Sequence, residues 1–375
     1  MKRTEACGAK SPFVRISQRN DISPKQRLII RAVAVAVAIL VDALFILIVS
    51  GKNPFLAFGK IFEGTFGNKI KFTETVKETF LLLGVAIALF PAYKMKFWNV
   101  GGQGQILMGA LAAAAIMKKF PDVPNFLLIL IMLLAAIVAG AAWGMIPAVF
   151  KAFWNTNETL FTLMMNYVAI QFVVLYVEKN RGLTSSSLGI INGIDKSGWL
   201  PVLGNATVLP AILISVILVA MYFYIVRSKQ GYEVTVVGES LNTARYAGIN
   251  VKAVIIRTMA ISGAVCGFIG FLYVSGLNHT ISDSTSGSYG FTAVIVCWLA
   301  NLNPFLMILY SLIIVFFQKG GLSLQSSKIS PALNSYSSEI IIAVFLFSLL
   351  ISNFFIKYRV QFRKKEKETE SVEGK

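Results

Sequence analysis

Only three cysteines and one histidine occur in the 375 residues, too few for a disulfide framework or a clustered Cys/His metal site. Charge is scarce as well. Charged residues make up 14% of the chain, against about 25% in soluble domains. No Gly-x-x-x-x-Gly-Lys-Ser/Thr loop is present: the Gly-Lys pairs at 51–52 and 59–60 are followed by Asn53 and Ile61 and belong to no strand–loop–helix unit. P-loop hydrolysis of ATP by this chain alone is excluded. A His-Glu-x-x-His pair is missing, no Ser/His/Asp set surrounds the lone His279, and intramembrane acids are few. The sequence therefore points away from an enzyme, and no cofactor or metal is expected.

What is abundant is apolar surface: 56% of residues are hydrophobic and mean hydropathy is +0.69. A soluble chain of this length with that balance would expose far too much apolar surface to stay dispersed, so its solvent is lipid. The formal net charge is +17, but the basic residues sit at the ends of apolar segments, where they set orientation. No nucleic-acid partner is expected. The first apolar run, Leu28 to Ser50, follows a basic arm (1–27) and is long enough to cross a hydrocarbon core of about 30 Å. A cleaved signal peptide has an apolar core of only about 7–15 residues, so this run reads as an uncleaved first helix.

Further spans are expected at 78–93, 97–117, 125–150, 158–178, 206–227, 253–276, 289–302, 304–318 and 337–357. The short ones (289–302 and 304–318) suggest half-helices. The expectation is thus an all-α polytopic membrane protein of about 8–10 transmembrane helices, some broken. Its transmembrane body covers 28–357, with a basic arm at 1–27 and a charged tail at 358–375. Loops are expected at 51–77, 180–205 and 228–252. An alternating placement with both termini in the cytoplasm collects most Lys and Arg there, chiefly through the arm and the tail.

Three polar features interrupt the apolar background. Phe97-Trp98-Asn99-Val100-Gly101-Gly102-Gln103-Gly104-Gln105 places glycines and amides at the start of a span. Irregular backbone at membrane depth survives only when buried in protein or lining a watery cavity. One reading is a broken helix whose N–H groups and amides line a solute path; the other is close helix packing through small residues. The two are compatible. Next, Asn157 is placed to cap a helix with Glu158 at its positive end, while Asn166, two turns in, needs a helix or cavity to satisfy its amide. Third, residues 238–250 read as a short helix, capped by Ser240 or Asn242 and stopped by Gly248. That helix either docks on another protein or rests on the headgroups. Asp42, deep in the first span, is an intramembrane acid with a functional or a packing role. Cys266 and Cys297 read as buried small apolar residues, and Arg363–Glu368 as a solvated tail.

These segments resemble the permease subunits of bacterial ABC importers, and within them the branched-chain-amino-acid/ribose permease family, in its simple-sugar and nucleoside branch. The likeness covers roughly 30–355 and is carried by FWNVGGQGQILMGA, NETLFTLMMNYVA and ARYAGINV. It implies a multi-pass inner-membrane subunit paired with a second permease (itself or a paralogue). Each half would dock on a cytoplasmic P-loop ATPase, and an extracytoplasmic solute-binding lipoprotein would deliver solute. It also implies a solute path along Asn99, Gly101, Gly102, Gln103, Gln105 and Asn166, and a coupling helix at 238–250 with Glu239, Arg245 and Gly248 at the contact. Relatives often carry Asn-Pro-Glu-Ala-Ala before the position of Arg245, where this chain has Ser240-Leu241-Asn242-Thr243-Ala244; that departure leaves the loop in place and alters its docking chemistry. The implied solutes are nucleosides or simple sugars. An ion- or proton-coupled carrier is the alternative and would call on Asp42 or Glu158.

Overall fold

The third helix shows why this chain folds as it does. α3 (Lys69–Lys94) has no polar side chain between Phe80 and Tyr93, and every residue from Leu81 to Tyr93 is buried. A helix apolar all round belongs in the middle of a bundle. The computed structural model describes residues 14–19, 22–182, 188–326, 333 and 335–362, and these contain thirteen α-helices, α3 among them. Eight helices among the described residues are long and apolar enough to cross a membrane. They include α5 (Asn125–Trp154), α6 (Glu158–Asn180), α7 (Val208–Arg227) and α10 (Val251–Phe271), the last extended by a π-helical turn, Leu272–Asn278. α4 (Gly102–Lys119) is the small-residue helix begun by the glycine–amide stretch, and α11 (Tyr289–Leu299) has the half-length expected of 289–302.

α4, α5 and α10 pack backbone to backbone. Gly109 meets Gly267, and Gly140 meets Gly263: a Cβ at Gly109 would lie 2.4 Å from Gly267 Cα, and one at Gly140 2.3 Å from the Gly263 carbonyl oxygen. Association in lipid is driven by such close van der Waals contact, since lipid tails already satisfy apolar surface. The small-residue reading of 97–117 is therefore realised along α4.

Some expectations need correction. The loop expected at 51–77 is largely helical: α2 (Pro54–Phe66) and the first turns of α3, capped by Asn68 accepting from Lys71 N at 2.8 Å. Charges and glycines at 59–60 and 67–71 hid this helix from a hydropathy reading. The segment expected to end at 318 runs on as α12 (Pro304–Ser326), because Gly320 lets α2 approach; a Cβ there would stand 2.4 Å from Ile61 Cγ2. The segment 228–252 folds as two helices, α8 (Lys229–Glu239) and α9 (Leu241–Tyr246). Gly238 and Glu239 thus close α8 rather than belonging to the short helix expected at 238–250.

The chain forms two compact units, one built of the described residues up to 59 together with those from 324 onward, the other of residues 60–323. In the first, α1 (Pro24–Ser50) packs on α13 (Ser335–Lys357). α1 opens with a capping box in which Ser23 and Gln26 bond each other's backbone N–H. Strand β1 (Val14–Gln18) pairs antiparallel with β2 (Tyr358–Phe362), a two-stranded ribbon the sequence did not suggest. The pairing brings both ends of the described chain together. Asp42, midway along α1, is buried with Oδ1 unpartnered. Arg363–Glu368 lie outside the described residues.

Candidate functional site

The break before α4 is built from the chain's own shortage of partners. Met95 ends α3, and Lys96 takes a left-handed φ of 59°, turning the chain back into the bundle. α4 starts at Gly101 with no side-chain cap of its own, so its first N–H groups need partners from elsewhere. α6 supplies them. Thr162 Oγ1 accepts from Val100 N at 3.2 Å, and Asn166 Oδ1 accepts from Gly104 N at 2.8 Å, while Asn166 Nδ2 donates to the Val100 carbonyl at 3.0 Å. Thr162 and Asn166 are four residues apart and share one face of α6. Asn157 caps α6 by accepting from Thr159 N and Leu160 N, and Glu158 pairs with Lys151 at 2.9 Å.

Asn99 completes the knot. Its Oδ1 accepts from Gly101 N at 3.0 Å, its amide and that of Gln105 bond each other at 3.4 Å, and Nδ2 also reaches Ser262 Oγ on α10. Tyr93 holds the Asn99 carbonyl at 2.8 Å. Asn99, Gly101, Gly102, Gln105 and Asn166 are all buried, whereas Gln103 is half-buried. The structure thus brings these six residues together. Gln103 faces the start of α11: a Cβ on Gly290 would stand 2.5 Å from Gln103 N. Trp98 stacks on Trp298 of α11 at 5.0 Å. Thr162 and Ser262 went unnoticed in the sequence; the i, i+4 spacing of Thr162 with Asn166 was the available signal.

On the α8–α9 side lies a cleft of about 830 Å³ lined by Lys96, Lys151, Glu158, Glu239 and Arg245 among others. Ser240 caps α9, accepting from Thr243 N. Gly248 stands just past the helix with φ +74°, the left-handed stop the sequence suggested, and is not part of the cleft wall. α8 is tied to α10 by Glu233 and Arg257 at 2.8 Å. On α9, Tyr246 is 94% exposed and Leu241 50%.

At the far end of α10, the segment 188–205 is laced to the π-helical turn. Ile191 N donates to the His279 carbonyl, Leu200 N to Ser275 O, and Trp199 Nε1 to Ile191 O. The Trp199 indole stacks on His279 at 3.6 Å between centroids. Burial in that stack lowers the imidazole below its ordinary 6.5, outweighing the opposing pull of the Val274 backbone. The folded state therefore prefers neutral His279. Its contribution is complete above about pH 6.5 and is lost as pH falls through and below that value, because the unfolded chain then binds more protons. Thermal stability is expected to drop more between pH 7.5 and 5.5 in the parent than in His279→Phe, read by melting in detergent; equal drops would remove His279 from the account.

No group of His, Cys, Asp or Glu that could hold a metal ion occurs among the described residues. The helices define an all-α polytopic membrane protein. Residues 73–349 match the family described as branched-chain amino acid transport system / permease component, and the chain belongs to that family. Similar proteins include the nucleoside ABC transporter permease NupB of Lactococcus lactis subsp. cremoris, 26% identical over 82% of this chain and 87% of that one. The guanosine ABC transporter permease NupP of Bacillus subtilis is 28% identical over 85% and 92%. The glucose ABC transporter permease TsgB13 of Haloferax volcanii is 29% identical over 82% and 83%. No solved structure matches. With eight helices among the described residues long and apolar enough to span, and with this family, the chain is a multi-pass protein of the bacterial plasma membrane.

Proposed function

We propose that the chain is the membrane subunit of an ATP-driven importer that passes nucleosides, with simple sugars the next choice. The observation that carries this is the near full-length likeness to permeases named for nucleoside, guanosine and glucose transport. In this reading the α8–α9 end faces the cytoplasm, as do both termini, and docks on a separate P-loop ATPase through Leu241 and Tyr246, with Glu239, Arg245 and Gly248 shaping the contact. A second permease, a copy or a paralogue, completes the pore, and an extracytoplasmic solute-binding lipoprotein loads it. The Glu233–Arg257 pair carries motion of α8 into α10. The α4 break edges the solute path, with Gln103 presented to it and Asn99, Gly101, Gly102, Gln105 and Asn166 holding the break in shape.

Purification from native cells in a gentle detergent is expected to bring an ATPase with two nucleotide domains, identified by mass spectrometry. Tyr246→Asp, at a side chain the fold leaves exposed, is expected to lower ATPase recovery at least about tenfold, because a charge placed in a desolvated contact costs several kcal/mol. A chain that purifies alone, yet supports saturable uptake abolished by a protonophore at constant ATP, would be a secondary carrier instead.

A further inference from the structure

The buried amides at the α4 break, those of Asn99, Gln105 and Asn166, bond each other, Ser262 and backbone. A second polar cluster, next to Gln103 through Gly290, leaves hydroxyls unpaired. Glu78 of α3 accepts from Lys319 Nζ of α12 at 3.1 Å and from the hydroxyl of Tyr289, the first residue of α11. Tyr273, in the π-helical turn, stands within electrostatic reach of both Glu78 and Tyr289. Its ring is 4% exposed and its hydroxyl has no hydrogen-bond partner. Ser286, in the connection entering α11, is fully buried with Oγ likewise unpartnered.

Each of these facts runs against ordinary membrane-protein economy. Charged residues within spanning helices are costly and mark solute or ion paths; here Glu78 and Lys319 cancel, so the cluster carries no net charge. A buried hydroxyl without a partner costs about 1–3 kcal/mol, and native structures hold few of them. π-helical turns occur often at functional sites. The four side chains come from four separate elements, and none is needed to cap a helix or close a turn.

We infer that Glu78, Tyr273, Tyr289 and Lys319 form a solute-recognition site inside the membrane for an uncharged solute rich in hydroxyl groups. The inference rests on the function proposed above and locates where the solute is read. The Glu78 carboxylate accepts hydrogen bonds from solute hydroxyls, the Tyr273 hydroxyl gains the partner it lacks, and Lys319 balances the carboxylate so that a neutral solute meets a neutral site. Sites built to hydrogen-bond a hydroxyl reject analogues lacking it far more strongly than apolar pockets reject shape changes.

The test uses the complete complex in liposomes with ATP inside, measuring uptake of tritiated guanosine and of its 2′-, 3′- and 5′-deoxy analogues. Tyr273→Phe is expected to lower guanosine kcat/KM about tenfold. It should leave one deoxy analogue, the one lacking the hydroxyl that Tyr273 meets, at parent level, with melting temperature unchanged. Glu78→Gln combined with Lys319→Met, which keeps the cluster neutral, is expected to lose about tenfold to a hundredfold. Guanosine uptake unaffected by Tyr273→Phe overturns the site while leaving the importer reading intact. An equal loss for guanosine and all three analogues also overturns it, since that is the mark of a merely structural tyrosine. A parent complex that hydrolyses ATP but imports neither guanosine nor glucose overturns the importer's solute class, and this site with it.

Discussion

Substituting leucine for Gly267 is expected to abolish folded protein. A Cβ at this position would stand 2.1 Å from the Ala136 carbonyl oxygen and 3.1 Å from Gly140 Cα. Both neighbours are backbone, so no side-chain rotation relieves the clash, and α5 would have to leave α10. Overpacking a tight core commonly costs about 1–3 kcal/mol. Forcing two helices apart removes the contacts of both, against a total stability of about 5–15 kcal/mol. In size-exclusion chromatography of detergent extracts, the monodisperse peak should fall more than about tenfold, with Gly267→Ala intermediate. Gly59→Ala, where a Cβ meets nothing within 4 Å, serves as the control. A full peak for Gly267→Leu would show that the α5–α10 contact yields more than this packing allows.

Asn166→Leu is the second large effect. It removes the acceptor of Gly104 N and the donor to Val100 O, leaving a buried N–H and a part-buried carbonyl unpaired. Each is worth about 1–3 kcal/mol, although side-chain bonds within membranes average nearer 0.6 kcal/mol. The upper range corresponds to a melting temperature lower by about 5–15 °C. Gln103→Leu, at the half-buried residue outside the knot, is expected to leave melting unchanged and lower uptake. If Asn166→Leu melted like the parent and lost only uptake, its amide would be a solute contact rather than a brace.

Much of the fold was legible because membrane helices announce themselves by length and hydropathy. The cap at Asn157 and the stop at Gly248 followed from local chemistry alone, and Ser240 was one of the two caps that chemistry offered for α9. α2 escaped because Gly59-Lys60 and Gly67 interrupt its pattern, and the last turns of α12 because Gln318-Lys319-Gly320 mimic an ending. At the break, the sequence marked Asn99, Gln105 and Asn166 but not what they bond. Asn99 meets Ser262 across 163 positions, a pairing no local spacing encodes. Glu78, Tyr289 and Lys319 escaped for the same reason: each reads as an ordinary polar residue near a helix end until α3, α11 and α12 come together.

The terminal ribbon has a consequence for biosynthesis. Val14 pairs with Phe362, so β1, once out of the ribosome, waits for β2, which is made much later. At about 5–20 residues per second that wait lasts roughly 17–70 s at the same rates, during which every helix between must be inserted. The ribbon cannot close on a chain stalled or cleaved before β2, so its closure registers that synthesis has run through α13.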